Sequence, residues 1–135
     1  MLTTIEVPTE KRQQLCLVTE AVQRAIADSG IKEGMCLIYC AHTTAGVTIN
    51  SYLDPDTAAD LQDEIDRLVP TRTDFKHIFD TPSDAAGHIK ASLIGGSLML
   101  IIHEGQAILG HSQGIFFWEF DGPRSRRLHL KLIEG

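Results

Sequence analysis

Apolar and polar positions change rhythm several times along the chain, and each change marks an element. Residues 2–7 and 11–18 are rich in Leu, Ile, Val and Thr, and the Pro8-Thr9-Glu10 interruption predicts a turn joining two strands in an opening hairpin. Thr19 stands where a helix cap belongs, ahead of Val22, Ala25 and Ile26 on one face and Gly30 as the stop. The nearly continuous apolar run over 35–40 predicts a strand. Polar 41–44 follows, then Val47 and Ile49 alternate with Thr48 and Asn50 in a second strand, so His42 falls near the join.

Asp54-Pro55 is a helix start, because Asp accepts from free amides and Pro suits the first helical position. Ala58, Leu61, Ile65 and Leu68 continue the helix at spacings of three and four, and Pro70 ends it. Ser83 is the predicted cap of a third helix reaching about Ile94, with Gly95-Gly96 as its stop. Strands are predicted over 97–103, 106–109, 114–120 and 126–133, with turns at Glu104-Gly105 and Asp121-Gly122-Pro123. In the last strand Leu128, Leu130 and Leu132 face one way, and Arg127, His129 and Lys131 the other. Helices do not alternate regularly with strands, so one α+β domain over residues 1–135 is expected: a mostly antiparallel sheet with about three helices packed on one side.

Composition narrows the class. The 135 residues are 43% hydrophobic and 22% charged, with 11 Gly and 5 Pro, which excludes disorder and collagen-like structure. No apolar run approaches the roughly 20 residues of a membrane span, and no basic stretch precedes an apolar one at the N-terminus. Neither a signal peptide nor a membrane partner is expected. Cys16, Cys36 and Cys40 form an odd set without a CxxC pair, which argues against a disulfide framework and for a reducing, cytoplasmic location. The net charge of −6 hides an asymmetry: residues 1–120 hold 8 basic against 16 acidic residues, whereas residues 121–135 hold 4 against 2. An acidic body argues against nucleic-acid partners. A local cluster of Arg124, Arg126 and Arg127 is nevertheless suited to gripping one small anion.

Three segments carry polar groups that packing does not demand: 42–50, 77–88 and 113–124. Strand alternation puts Glu119 with Gln113, Ile115 and Phe117 on one face, opposite Phe116, Trp118 and Phe120. A carboxylate there must be paired, metal-bound or neutral, because a lone buried charge is costly. It is either a structural ion pair with an Arg or part of a site. His42, His77 and His88 are candidate metal ligands, with Asp80, Asp84 or Glu119 available as oxygen donors, although no HExxH or paired-Cys spacing supports them. Surface or hydrogen-bonded core histidines are the alternative. Gly95-Gly96-Ser97 lacks the marks of a phosphate loop and is assigned to helix termination.

The same segments resemble the YjbQ family. The matching residues are His42-Thr43-Thr44-Ala45 with Ile49-Asn50, Asp54-Pro55-Asp56, His77, residues 88–95, Ser97, Gly105, Leu109-Gly110, Gln113-Gly114-Ile115 and residues 119–124, ordered through nearly the whole chain. The resemblance implies a homotrimer and a weak thiamine-phosphate synthase activity, which joins a hydroxymethylpyrimidine diphosphate to a thiazole phosphate. Departure of diphosphate calls for charge neutralisation, by a divalent ion such as zinc or magnesium or by Arg and Lys. On that reading His42, His77 and His88 hold the ion. His42, Asn50, Gln113 and Glu119 act on or orient the heterocycle, and Thr43, Thr44, Lys90, Arg124 and Arg126 meet the phosphorylated substrate. The chain departs from the family pattern at His111-Ser112, where Thr-Trp is usual, at Ser51, where an acidic residue is common, and in the stretch after His77. A non-catalytic trimeric module binding a small anionic metabolite or a metal is the alternative function.

Overall fold

The computed structural model describes residues 1–135. Eight strands and three helices follow in the order β1 (Leu2–Pro8), β2 (Gln14–Leu17), α1 (Thr19–Ser29), β3 (Glu33–Tyr39), β4 (Ala45–Ser51), α2 (Pro55–Leu68), α3 (Pro82–Ile94), β5 (Ser97–His103), β6 (Gln106–Ala107), β7 (Gln113–Glu119) and β8 (Ser125–Glu134). All strand pairs are antiparallel, in a five-stranded sheet ordered β1-β8-β3-β5-β6 and a three-stranded sheet ordered β2-β7-β4. The α+β class stands; the single sheet divides into two. No helix is long and apolar enough to cross a membrane.

The opening hairpin does not form. β1 pairs with β8 and β2 with β7, so residues 9–13 carry the chain from one sheet to the other. Two buried side chains fix that crossing. The Thr9 hydroxyl accepts from the Arg124 N–H, and the Gln13 amide oxygen accepts from Trp118 Nε1. Local alternation identifies a strand but not its partner, and here both partners lie about a hundred residues away.

The division into two sheets explains the unbroken apolar run of β7. Its Ile115 and Phe117 enter the main core with Cys36, Ile38, Leu100, Leu128 and Leu130 from the larger sheet and Val22 and Ile26 from α1. On the opposite face Trp118 packs with Phe120 and Ile65 of α2, against Ala91 and Ile94 of α3. The smaller sheet is therefore buried on both faces. The outer face of the larger sheet stays open, and Met35, Met99, Ile101 and Ile133 are exposed there in adjacent register.

Caps set the helix starts. Asp54 accepts from the Asp56 N–H ahead of Pro55, as expected for α2. α1 begins one residue earlier than expected, at Thr19 itself: Val18 occupies the cap position, and Thr19 instead accepts from the Ile115 N–H, fastening α1 to β7. In α3, Thr81 rather than Ser83 caps, accepting from the Asp84 N–H, while the Ser83 hydroxyl is buried without a partner. That cap places Asp84 in the first helical turn and His88 one turn further along the same face.

Candidate metal centre and adjoining cavity

Asp84, buried at the start of α3, presents one oxygen to two imidazoles. His77 Nε2 lies 2.9 Å and His88 Nε2 3.1 Å from Asp84 Oδ2, and the three donor atoms all fall within 4.8 Å of one another. The two rings meet edge to face, with centroids 5.1 Å apart. Bonds of about 2.1 Å to an ion hold neighbouring ligand atoms roughly 3.0–3.4 Å apart, so both nitrogen–oxygen spacings suit coordination. Burial pushes the Asp84 carboxyl up, but the His77 hydrogen bond and the nearby His88 outweigh it and hold the group below its ordinary value. It is thus kept as the carboxylate that ligation requires. Asp80 stands 3.8 Å from His77 Nε2, a second oxygen at the rim.

Of the three carboxylates left open by the sequence, Asp84 joins the histidines. Its spacing from His88, Asp84-x-x-x-His88 across one helical turn, is the signal that sequence reasoning could have weighted more. His42 lies outside the three-donor group. Its Nε2 is 3.1 Å from both the backbone N and O of Arg127, and burial, followed by the positive charge of Arg126, lowers its pKa and keeps the ring neutral. His42 does share a cavity of about 320 Å³ with His88, Thr43 and Ser92, on the α3 side away from His77's loop. Gly87 allows this closeness: a Cβ on it would lie 3.2 Å from Thr44 Cβ, with Asp121 Cβ just beyond.

Three expected substrate contacts, Lys90, Arg126 and Thr44, are engaged with partners inside the protein. Lys90 is wholly buried and donates to Asp66 of α2, so its ammonium cannot meet an anion from solution. Arg126 is likewise buried and binds Glu119 and the Thr44 hydroxyl. Its partner Glu119 also accepts from Thr9 and from the Asp121 N–H. Burial raises the Glu119 carboxyl, but these donors, Arg126 foremost, bring it below the ordinary value. The structural ion pair is therefore what Glu119 makes. Thr44 is buried within the same network, whereas Thr43 is exposed on the smaller cavity.

Asn50 and Gln113 stand apart for a geometric reason. They lie near the far end of the β4–β7 ladder, where Asn50 faces Gly114 and Ser51 faces Gln113, while Ala45 and Glu119 pair at the near end. Six strand residues separate those ends by about 20 Å. Gln113 instead lines a cavity of about 330 Å³ with Tyr52 and His111. Arg124 remains half-exposed near the centre and pairs with Asp121 at 2.9 Å, a bond that raises its already high pKa.

The loop before α3 contributes residues the sequence did not single out. Arg72, Phe75 and Lys76 join His77, His88 and Ile89 around a cavity of about 620 Å³. Arg72 pairs with Asp74 and lies over the Phe75 ring, 4.7 Å from its centroid; Lys76 has no ion-pair partner. Apolar wall, free cation and the two histidine donors converge on one opening, with Asp84 buried behind them.

A family profile described as UPF0047 protein YjbQ-like matches residues 3–135. The chain belongs to the YjbQ family. Among curated relatives, a UPF0047 protein of Methanocaldococcus jannaschii is 44% identical over 98% of this chain and 94% of its own length. UPF0047 protein YugU of Bacillus subtilis is 40% identical over 98% and 99%. A crystal structure of an uncharacterised YjbQ/UPF0047 protein from Clostridium acetobutylicum superimposes with a TM-score of 0.91 at 40% identity, covering 97% of this chain and 99% of that one. A hypothetical protein from Aeropyrum pernix gives 0.93 at 31% identity over 100% and 99%. The two-sheet, three-helix architecture is therefore that of YjbQ structures.

Proposed function

We propose that this YjbQ-family protein holds a divalent cation on His77, Asp84 and His88 and uses it to bind and transform a small phosphorylated metabolite in the adjoining cavity. One observation carries the reading: buried Asp84 draws together the imidazoles of His77 and His88, and both imidazoles line a cavity of about 620 Å³ that also holds an unpaired lysine. Two imidazoles and one carboxylate suit zinc or a similar ion better than magnesium, which prefers oxygen.

The finer reading, taken from the family resemblance, is thiamine-phosphate synthase chemistry. A cation in this position would supply charge neutralisation to a departing diphosphate. Lys76, with Arg72 beside it, would hold further phosphate oxygens, and Phe75 and Ile89 would exclude water from one side of the heterocycle. Arg124, turned toward Asp121, would be the reserve cation on the α3 side. Neutral His42, across His88, is placed to exchange a proton with a group entering the smaller cavity.

A non-catalytic anion- or metal-binding module is the second reading. It is favoured by the engagement of Glu119, Lys90 and Arg126 in buried pairs, which removes three groups of catalytic promise. Self-association, a trimer by the resemblance, would cover the exposed apolar face of the larger sheet and is tested by sedimentation. Elemental analysis of protein purified without chelator or affinity tag tests the ion. Near-stoichiometric metal that disappears in His88→Ala is the expected result; equally low metal in both proteins overturns it. Turnover lost with substrate affinity retained in His42→Ala marks an enzyme, whereas a proportional loss of affinity marks a binding module.

A further inference from the structure

Residues 70–80 join α2 to α3 and carry His77, and almost nothing else fastens them. None of the 74 backbone hydrogen bonds involves these eleven residues. Phe75 alone among them is half-buried; the rest are exposed, including Ile78 at 81% and Phe79 at 90%. The Arg72–Asp74 pair and the Arg72–Phe75 stacking are internal to the segment. Its one polar tie to the rest of the molecule is His77 to Asp84. The same segment supplies Arg72, Phe75 and Lys76 to the wall of the large cavity.

A wall held by a single imidazole–carboxylate contact is a wall that opens, because segments with few buried contacts and no backbone bonding open at little cost. Resting on the proposed ion at His77, Asp84 and His88, we infer that this cation also latches the 70–80 segment against α3, so that the anion cavity is completed only when the ion is bound. The ion would join the loop ligand, His77, to the two helix ligands, Asp84 and His88. A ligand that favours the closed form lowers the open population by about its concentration over its dissociation constant, roughly 100-fold at a hundredfold excess. The open form keeps some affinity through Asp84 and His88, so the net effect is smaller, on the order of 10-fold or more. Small anions would then bind in order, after the cation, because Lys76 and Arg72 take their places as the loop closes.

The segment carries its own reporter, since trypsin cuts after Arg72 and Lys76 in an exposed, unbonded chain. The test is cleavage of the full chain at these two sites with zinc or with chelator, with ion binding measured separately by calorimetry. A short unstructured peptide in the same tube reports any effect of zinc on trypsin itself. Zinc binding that slows both cleavages about 10-fold or more supports the latch, provided His77→Ala is cut at the ion-free rate whether or not zinc is present. His77→Gln keeps a hydrogen-bond donor toward Asp84 but offers no imidazole, and it too should stay at the ion-free rate. Zinc that binds without slowing the cleavages overturns the latch and leaves the metal centre standing. Equal protection in wild type and His77→Ala overturns the latch as well, and no zinc binding overturns both proposals.

Discussion

Glu119 and Asp84 are both buried carboxylates held below their ordinary pKa, and both lie close to the Thr44–Gly87 contact, yet their surroundings differ in kind. Glu119 is saturated: a guanidinium, a hydroxyl and a backbone amide occupy its oxygens, and no solvent reaches it. Asp84 takes only two imidazoles on a single oxygen, and both are ordinarily ligands as well as hydrogen-bond donors. Saturation makes a charge part of the scaffold. Spare coordination at a cavity mouth leaves a charge able to bind something.

The sharpest break of this contrast is Arg126→Ala. It strands Glu119 in the core and should lower stability by about 3–5 kcal/mol, read by urea unfolding. A loss below about 1 kcal/mol would place Glu119 with Asp84 as an adaptable group. The converse is His88→Ala, a half-exposed residue. Zinc affinity by calorimetric titration should fall by more than about 100-fold, since even outer-sphere partners of a metal are worth 10–100-fold. Stability of the ion-free protein should change by no more than about 1 kcal/mol.

Acid sharpens the comparison at intermediate size. The folded Glu119 carboxyl sits below its unfolded value of about 4.3, so its stabilisation is complete above that pH and is lost as pH falls through the lower, folded value. Glu119→Gln should therefore show less stability at neutral pH and a shallower acid limb in unfolding titrations. An acid limb as steep as wild type would show that other carboxylates govern acid unfolding. Asp84→Asn should flatten the same limb, since that carboxyl is also lowered, while abolishing zinc binding. The smallest effects belong to Asn50→Ala and Gln113→Ala at the far end of the ladder. Each should stay within about 0.5 kcal/mol in unfolding and leave zinc affinity unchanged; a tenfold loss of affinity would mean the two ends communicate.

Much of the fold could be read from the chain. The Asp54-Pro55 start, the Gly30 and Gly95 stops, and the alternation of β8 all depend on neighbouring residues, whose chemistry is local. Strand partnership depends on distant residues, which is why β1 and β2 read as a hairpin yet lie in different sheets. The site divides in the same way. His77 and His88 were visible as candidate ligands, but Lys90 and Arg126 looked equally suited to phosphate until burial against Asp66 and Glu119 claimed them. Arg72, Phe75 and Lys76 carried no signal, because a cavity wall is made by the shape between elements.

The sequence by itself determined the family, the α+β class, most helix ends and the residue types available for chemistry, because propensity, capping and alternation act over a few neighbouring residues. Only the tertiary structure decided which polar groups are satisfied and which stay free. Satisfaction is a property of pairs: a charge spent on a partner dozens of residues away and one left at a cavity mouth can look the same along the chain.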